Sequence, residues 1–472
     1  MIIVLLLILP LVASLLLFTS KLGKYSRNFA LASSLLTFFI SVAVGFAFVK
    51  KELLLLELDL QQLLDIQIIL KIDAVSMVMV LLTTLLIPII IASTSRTEKR
   101  THNFYALILL MEMALIGVFT ASEMILFYIF WELALLPVFF ITVLWGGQNK
   151  RTISIRFLIY TLVGSFAMLI AILYLYTLTP APHSFSFASF YQLQLPYQLQ
   201  VPIFLAFFLA FAIKIPLFPF HSWQAETYNV SPIQGTMLMS GIMLKMGLYG
   251  IIRFLIPLTP DVVAGGSLIF LPLILFGVIY GAIIAIKQPN LKKLIAFASL
   301  SHVGIIALGL LSNNNYGIEG GIIQMFSHGV NVVGFFLCYY MIVKRTKTDE
   351  ISKLGGIASV APRFAIVFLI IVLANVALPL TNSFVGEFLI LIGLFQFNKA
   401  LAIIAGLTII LGAVYMLKMY QQVMYGTTTE ATNNFEDLSL SELSLFIPII
   451  ISIFGIGIFP SFALRMIEGV IK

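Results

Sequence analysis

Fourteen long apolar runs succeed one another with little between them, near 2–19, 28–49, 74–94, 103–121, 123–145, 155–178, 200–221, 231–256, 264–286, 293–311, 316–343, 364–393, 399–424 and 443–468. A helix that crosses a bilayer needs about 20 predominantly apolar residues, and these runs have that reach. Lipid offers the backbone no hydrogen bonds, so runs of this length cross it as helices, which satisfy their own peptide groups. Charged side chains make up only 10% of the 472 residues, against roughly 25% in soluble domains. The expected fold is therefore all-α and integral to the lipid bilayer, multi-pass, with about fourteen transmembrane helices. The first run is apolar from Met1 onward without a basic n-region and reads as a retained helix.

The longest connections lie near 51–73, 179–199 and 425–442. The first alternates polar and apolar residues from Leu58 to Leu70, which predicts an external hairpin. The second holds Pro180, Pro182 and Pro196 but no Lys, Arg, Asp or Glu, as an uncharged external cap would. The third carries Glu430, Glu436, Asp437 and Glu442 and is expected to be a cytoplasmic turn.

Basic residues fall unevenly on alternate loops. One set holds Lys21, Lys24, Arg27, Arg96, Lys99, Arg100, Lys150, Arg151, Arg156, Lys287, Lys292, Lys293, Lys344, Arg345, Lys347, Lys353 and Arg363. The other holds Lys50, Lys51, Lys71, Arg253, Lys399, Arg465 and Lys472. The richer set is expected to face the cytoplasm, which puts both termini outside and agrees with an even helix count. The net charge of +7 is thus topological and implies no nucleic acid partner. Cys338 stands alone on an apolar helix, so no disulfide framework or cysteine-ligated iron–sulfur cluster is expected, and it reads as a small buried hydrophobe.

Against this background, charges inside the helices stand out. Lys214 lies in the run Phe207 to Phe220, with Pro216 and Pro219 close behind it. A lysine at that depth costs roughly 2.5–3.5 kcal/mol on insertion scales. The prolines remove backbone donors and open the helix beside it, an arrangement that transporters use for ion sites. A second interruption follows at Ala374 to Phe388, where Pro379, Thr381, Asn382 and Ser383 precede Glu387. Each half thus has one interrupted helix with one ionisable group, which points to an internally repeated transporter.

The full set inside helices is Glu112, Glu132, Lys214, His221, Lys245, His302, His328, Glu387 and Lys418. Such groups face a bundle interior, pair with one another, or line an ion path. Desolvation and pairing act in opposite senses on them, so moving a partner by a few ångströms loads or unloads a proton. Glu132 reads either as a structural carboxylate or as a partner of Lys214. Lys245, with Gly241 and Gly247 on either side, reads as a buried charge placed too far from the helix ends to snorkel. His302 and His328 read as packing residues or, with Ser299, Ser301 and Asn331 nearby, as a hydrated relay. Glu112 is as readily a helix–helix hydrogen-bond partner, His221 an interfacial contact, and Lys418 an interfacial anchor. No phosphate loop, redox motif or metal-ligand spacing is visible, so no cofactor is expected in this chain.

Several stretches carry a family resemblance. They are Phe130 to Leu133, Leu144 to Gly147, Lys214 to Trp223, Gly241 to Gly250, Lys292 to Gly304, Gln324 to Gly329 and Phe384 to Phe388. Together they resemble the antiporter-like subunit M family of respiratory complex I, the NADH–quinone oxidoreductase, over nearly the whole chain. Glu387 is the informative letter, because sibling antiporter-like subunits typically carry lysine on the second broken helix. Gln224 to Tyr228 departs from the family's usual Leu-Pro-Asp-Ala-His.

The resemblance implies two inverted five-helix repeats, at about 103–256 and 264–424. They would be preceded by N-terminal helices and the hairpin at 1–102 and followed by the cytoplasmic turn and last helix at 425–472. It implies that Glu132 pairs with Lys214, and that Lys245, His302 and His328 carry protons toward Glu387. It also implies sibling antiporter-like and other membrane-arm subunits as partners. NAD, FMN, iron–sulfur clusters and quinone are expected in those partner subunits, and the location in a bacterial inner membrane. A sodium/proton antiporter subunit, or a membrane-arm subunit of a hydrogenase- or ferredoxin-linked complex, shares most of these motifs. The electron-input partner discriminates among the three.

Overall fold

The computed structural model describes residues 2–19, 23–49, 55–59, 67–94 and 102–467. Among these, twelve helices are long and apolar enough to cross a membrane, and shorter apolar helices accompany them. The topological charges Lys21, Lys50, Lys51, Arg96, Lys99, Arg100 and Lys472, and the hairpin tip at 60–66, lie outside the described residues.

In chain order the elements are α1 (Ile2–Thr19), α2 (Ser26–Val49), β1 (Leu55–Asp59), β2 (Gln67–Lys71), α3 (Ala74–Ser93), α4 (His102–Thr120), α5 (Met124–Leu133), α6 (Leu135–Trp145) and α7 (Lys150–Leu178). There follow α8 (Tyr197–Lys214), α9 (Ser222–Val230), α10 (Ile233–Leu238), α11 (Leu244–Gly250), α12 (Pro260–Ile286) and α13 (Leu291–Leu311). The last are α14 (Asn315–Thr346), α15 (Pro362–Asn375), α16 (Asn382–Phe397), α17 (Lys399–Met424) and α18 (Leu440–Ile458). The hairpin expected at 51–73 is present as an antiparallel pair with Leu55 opposite Lys71 and Asp59 opposite Gln67.

Local chemistry sets many helix starts. Asn314 accepts from Gly317 N at 3.0 Å to begin α14, and Asn398 accepts from Ala400 N at 2.9 Å to begin α17. Ser439 and Glu442 form a reciprocal capping box on α18. Prolines set the interruptions. α8 ends at Lys214, immediately before Pro216 and Pro219, and α15 and α16 are separated by the stretch containing Pro379. The predicted run at 364–393 is therefore two shorter helices.

The chain packs as two compact units. The first comprises Met1–Ile215 and Ile242–Gly266. In it α1 is tied to α4 by Ser14 Oγ donating to Ala106 O at 2.8 Å, and α2 to α3 by a 2.6 Å bond between the Ser41 and Thr84 hydroxyls. Phe39, Ile159 and Ile170 point outward, 55–69% exposed, as lipid-facing side chains do.

The second unit comprises Pro216–Gly241 and Ser267–Lys472. Its closest packing is α14 against α16. A Cβ on Gly320 would lie 2.7 Å from Ile390 N and 2.8 Å from Gly386 O, so only glycine lets these two backbones meet. Glu387 therefore rides on a helix held at backbone contact. Within this unit Lys292 Nζ donates to Asn229 O at 3.2 Å and Ser231 O at 2.8 Å, satisfying carbonyls at the end of α9.

Between α15 and α16 the backbone is irregular. Ala377 and Leu380 hold φ of 58° and 75°, a left-handed conformation costing of order 1–3 kcal/mol for each non-glycine residue. Asn331 compensates from α14. Its Nδ2 donates to Asn382 Oδ1 at 3.0 Å and Ser383 Oγ at 2.9 Å, and its Oδ1 accepts from Asn382 Nδ2 at 3.2 Å. Buried polar groups of this kind must be paired, and here they fix the start of the half-helix that carries Glu387.

Candidate functional site

The first unit gathers Glu132, Lys214 and Lys245. Lys214 is the last residue of α8 and is 1% exposed. A cation at a helix C-terminus meets the negative end of the macrodipole, worth about 0.3–1 kcal/mol and up to about 2 when partly buried. Its Nζ lies 5.0 Å from the ring centroid of Trp131, itself 1% exposed, in a cation–π contact. Desolvated contacts of that type contribute about 2 kcal/mol.

Glu132, the next residue on α5, acts on Lys214 through its charge, but no hydrogen bond joins the two. The pairing implied by the resemblance is thus an interaction through space in this state, with Trp131 occupying the contact position. Lys214 Nζ and Glu132 Oε1 are both buried without a protein hydrogen-bond partner. Two such groups of opposite charge, held apart, are poised to move together.

Lys245 is fully buried on α11, with π-helical turns at Met239–Met243 and Ile251–Leu255 on either side. Such turns occur inside helices at functional sites. Gly247 brings α11 onto the end of α8, where a Cβ would stand 2.5 Å from Ile215 Cγ1 and 3.1 Å from Phe211 O. Tyr249 and Arg253 follow Lys245 at i+4 and i+8 on one helix face. Tyr249 OH donates to Phe119 O at 3.1 Å and lies 3.3 Å from Ser76 Oγ.

Arg253 pairs with Asp73 and reaches Ser76 Oγ at 3.1 Å. Asp73 is the N-cap of α3 and accepts from Ser76 N at 3.1 Å. Burial alone would push the Asp73 carboxyl up, but the Arg253 guanidinium and Ser76 amide hold it below its ordinary 3.8. A carboxyl lowered by folding contributes stability above its unfolded pKa, and that contribution is lost as pH falls through the folded value. Asp73→Asn is therefore expected to lower the melting temperature of the solubilised protein at neutral pH. The loss is about 1–2 kcal/mol, kept small because the side chain is 35% exposed. The deficit should close as the pH falls below about 4, where the native carboxyl is protonated too.

The second unit gathers His302, His328 and Glu387. His302 Nδ1 lies 3.1 Å from Glu387 Oε1, and Gln324 Nε2 donates to the same oxygen at 3.0 Å. Tyr415 OH stands 3.4 Å from His302 Nε2. The two imidazoles are 6.2 Å apart between ring centroids, and His328 Nε2 lies 3.1 Å from Ser299 Oγ. A carboxylate, an imidazole and a phenol thus form one hydrogen-bonded row, with a second imidazole beside it. Every member can gain and lose a proton, which is what proton transfer over short steps requires.

The remaining charges stay outside these rows. Glu112 is fully buried with neither oxygen hydrogen-bonded to protein. His221 stacks on Phe218 at 5.6 Å and meets Tyr280 edge-on at 5.3 Å. Lys418 is exposed. Cys338 is fully buried, as a small hydrophobe would be. Among the described residues no cluster of His, Cys, Asp or Glu could hold a metal ion.

Sequence reasoning passed over three residues in these rows. Gln324 precedes His328 by one helical turn and so shares its face, a spacing that is visible in the letters. Trp131 and Tyr415 carried no such signal.

Residues 121–412 match a family model described as NADH:quinone oxidoreductase/Mrp antiporter, TM. The chain belongs to this family. NADH:quinone oxidoreductase/Mrp antiporter relatives extend along almost its whole length. It is 36% identical to NADH-quinone oxidoreductase subunit M of Rickettsia typhi, covering 95% of this chain and 91% of that one. It is 34% identical to NADH-quinone oxidoreductase subunit M of Rhodobacter capsulatus, covering 93% and 88%. Among solved structures it is similar to a chain of respiratory complex I from Thermus thermophilus with bound NADH. That match has TM-score 0.92 and 30% identity and covers 100% of this chain and 98% of the other. A chain of the Mrp complex from Dietzia sp. DQ12-45-1b shares the fold at TM-score 0.87 and 18% identity, covering 98% and 95%.

Proposed function

We propose that this chain moves protons in the membrane arm of a redox-driven NADH–quinone oxidoreductase, through the acid–base groups buried in its two units. The observation that carries this reading is the pair of interrupted helices, each with a buried titratable group beside its break. Lys214 ends α8, and Glu387 follows the irregular stretch before α16. Midplane charges are expensive, and a scaffold has no use for them.

In the proposed cycle Glu132 and Lys214 are the regulator. Separating them releases the lysine's proton to Lys245, and His302 and His328 relay protons to Glu387. Electrons travel elsewhere, through NAD, FMN, iron–sulfur clusters and quinone held by partner subunits, and reach this chain as electrostatic coupling through neighbouring antiporter-like subunits. The stretches 103–256 and 264–424 are read as two inverted repeats of five helices, within about fourteen helices in all. The termini are placed outside a bacterial inner membrane by the charge of the loops.

A sodium/proton antiporter subunit would use the same fold, and Glu387 on the second broken helix favours the oxidoreductase. The test is ionic. Proteoliposomes of the assembled complex should translocate protons during NADH oxidation by quinone at full rate in sodium-free medium. Pumping that collapses without sodium would move the chain to the antiporter reading.

A further inference from the structure

The second unit contains two cavities that share one residue. The larger is an open cleft of about 220 Å³, lined among others by Lys287, Ser352, Tyr415, Lys418 and Gln422. The smaller, about 10 Å³, is bordered by His302, Asn375, Glu387 and again Tyr415. A cavity needs roughly 10–15 Å³ on this scale to hold a water, so the cleft has room for a chain of waters and the inner space for about one. Tyr415 is 2% exposed and stands where the two would otherwise join, with its hydroxyl 3.4 Å from His302 Nε2. The lip of the cleft is built from the loop before α13, the segment Ile351–Lys353 and the last turns of α17. Lys287, Lys344, Arg345, Lys347 and Lys353 lie on these loops, the basic set assigned to the cytoplasmic face.

We propose that this cleft is a proton entry from the cytoplasmic face to the His302–Glu387 pair, with Tyr415 as the donor that closes it to bulk water. It rests on the reading of Glu387 as a relay member, and it places the supply of that relay in the second unit itself, independent of Lys214. The transfer is conservative. A hydronium in the cleft gives a proton to the Tyr415 oxygen as the phenol gives its own to His302 Nε2. His302 releases its Nδ1 proton across 3.1 Å to Glu387 Oε1, which becomes a carboxylic acid. The phenol is restored and the imidazole remains neutral, with its proton moved to the other nitrogen. Gln324, donating to Glu387 Oε1 at 3.0 Å, positions the carboxylate without exchanging a proton.

Ser352, exposed at the lip, permits a direct test. In inside-out membranes that hold the assembled complex, Ser352→Cys should react with a membrane-impermeant fluorescein maleimide. Labelling should cut quinone-linked NADH oxidation roughly tenfold, while the unsubstituted complex treated alike keeps its rate. Tyr415→Phe, which keeps the ring and removes the proton, should lose activity to a similar extent. Its deficit should widen as the bath pH rises from about 6 to about 8 and proton supply limits turnover. Reduction of an artificial acceptor that bypasses quinone should be unaffected in both. Failure to label, complete labelling without loss of turnover, or a Tyr415→Phe complex at full rate overturns the entry. Glu387→Gln serves as the discriminating arm. If it pumps normally, the relay itself is wrong, whereas a dead Glu387→Gln beside a fully active labelled Ser352→Cys removes only the entry.

Discussion

Lys214→Ala in the assembled complex is expected to abolish coupled turnover while leaving the fold intact. Quinone-linked NADH oxidation and proton pumping should both fall by roughly ten- to a hundredfold, the range a positioned proton-transfer group commands. Reduction of an artificial acceptor should remain at the wild-type rate. The fold should survive because the ammonium makes no protein hydrogen bond that its removal would orphan. Removing a buried charge with no hydrogen-bonded partner costs little stability and can add some. Trp131 loses its cation contact and Glu132 its countercharge, so the change is confined to the regulator. Lys214→Arg separates charge from chemistry. Guanidinium keeps the cation over the indole but does not deprotonate in proteins, so pumping should be lost although the charge is retained.

Glu387→Gln should be nearly as severe, by a different route. The amide has almost the carboxylate's shape, and its oxygen can still accept from Gln324 Nε2, which sits 3.0 Å away. It cannot hold a proton delivered from His302. Pumping and quinone-linked turnover should fall at least roughly tenfold with assembly and melting temperature near normal. Glu387→Asp should retain part of the rate, since the titratable group is kept but stands one methylene farther from His302. Glu387→Lys should fare worst. Lysine presents only donors where Gln324 already donates, leaving that amide without an acceptor in a buried site. The readout in each case is proton uptake and NADH oxidation recorded on the same vesicles.

Much of the architecture could be read directly. Apolar runs announced the helices because lipid leaves the backbone no other partner, and prolines announced the breaks because they cannot donate. Lys214, Lys245 and Glu387 were found by their cost alone. Partners were harder to foresee. Trp131 takes the contact beside Lys214 that charge complementarity would give to Glu132, and tryptophan in an apolar helix looks the same whether it packs or binds a cation. Tyr415 was invisible for a similar reason. Its ring belongs in lipid-like surroundings, and only the fold brings its hydroxyl toward an imidazole 113 residues away in sequence. Gln324 was half legible, since the four-residue spacing to His328 put both on one face but did not name Glu387 as the acceptor. The interrupted segment before α16 needed Asn331 from another helix to complete its hydrogen bonds, a tertiary fact that no local pattern carries.

The central claim is that protons pass through titration of this chain's own buried groups. The most direct measurement is the proton-to-NADH ratio of the Lys214→Arg complex in proteoliposomes, taken with the artificial-acceptor rate as a control for the electron-input subunits. Loss of redox-coupled proton translocation with a normal artificial-acceptor rate is the expected result. Full pumping through a complex whose residue 214 cannot release a proton would contradict it.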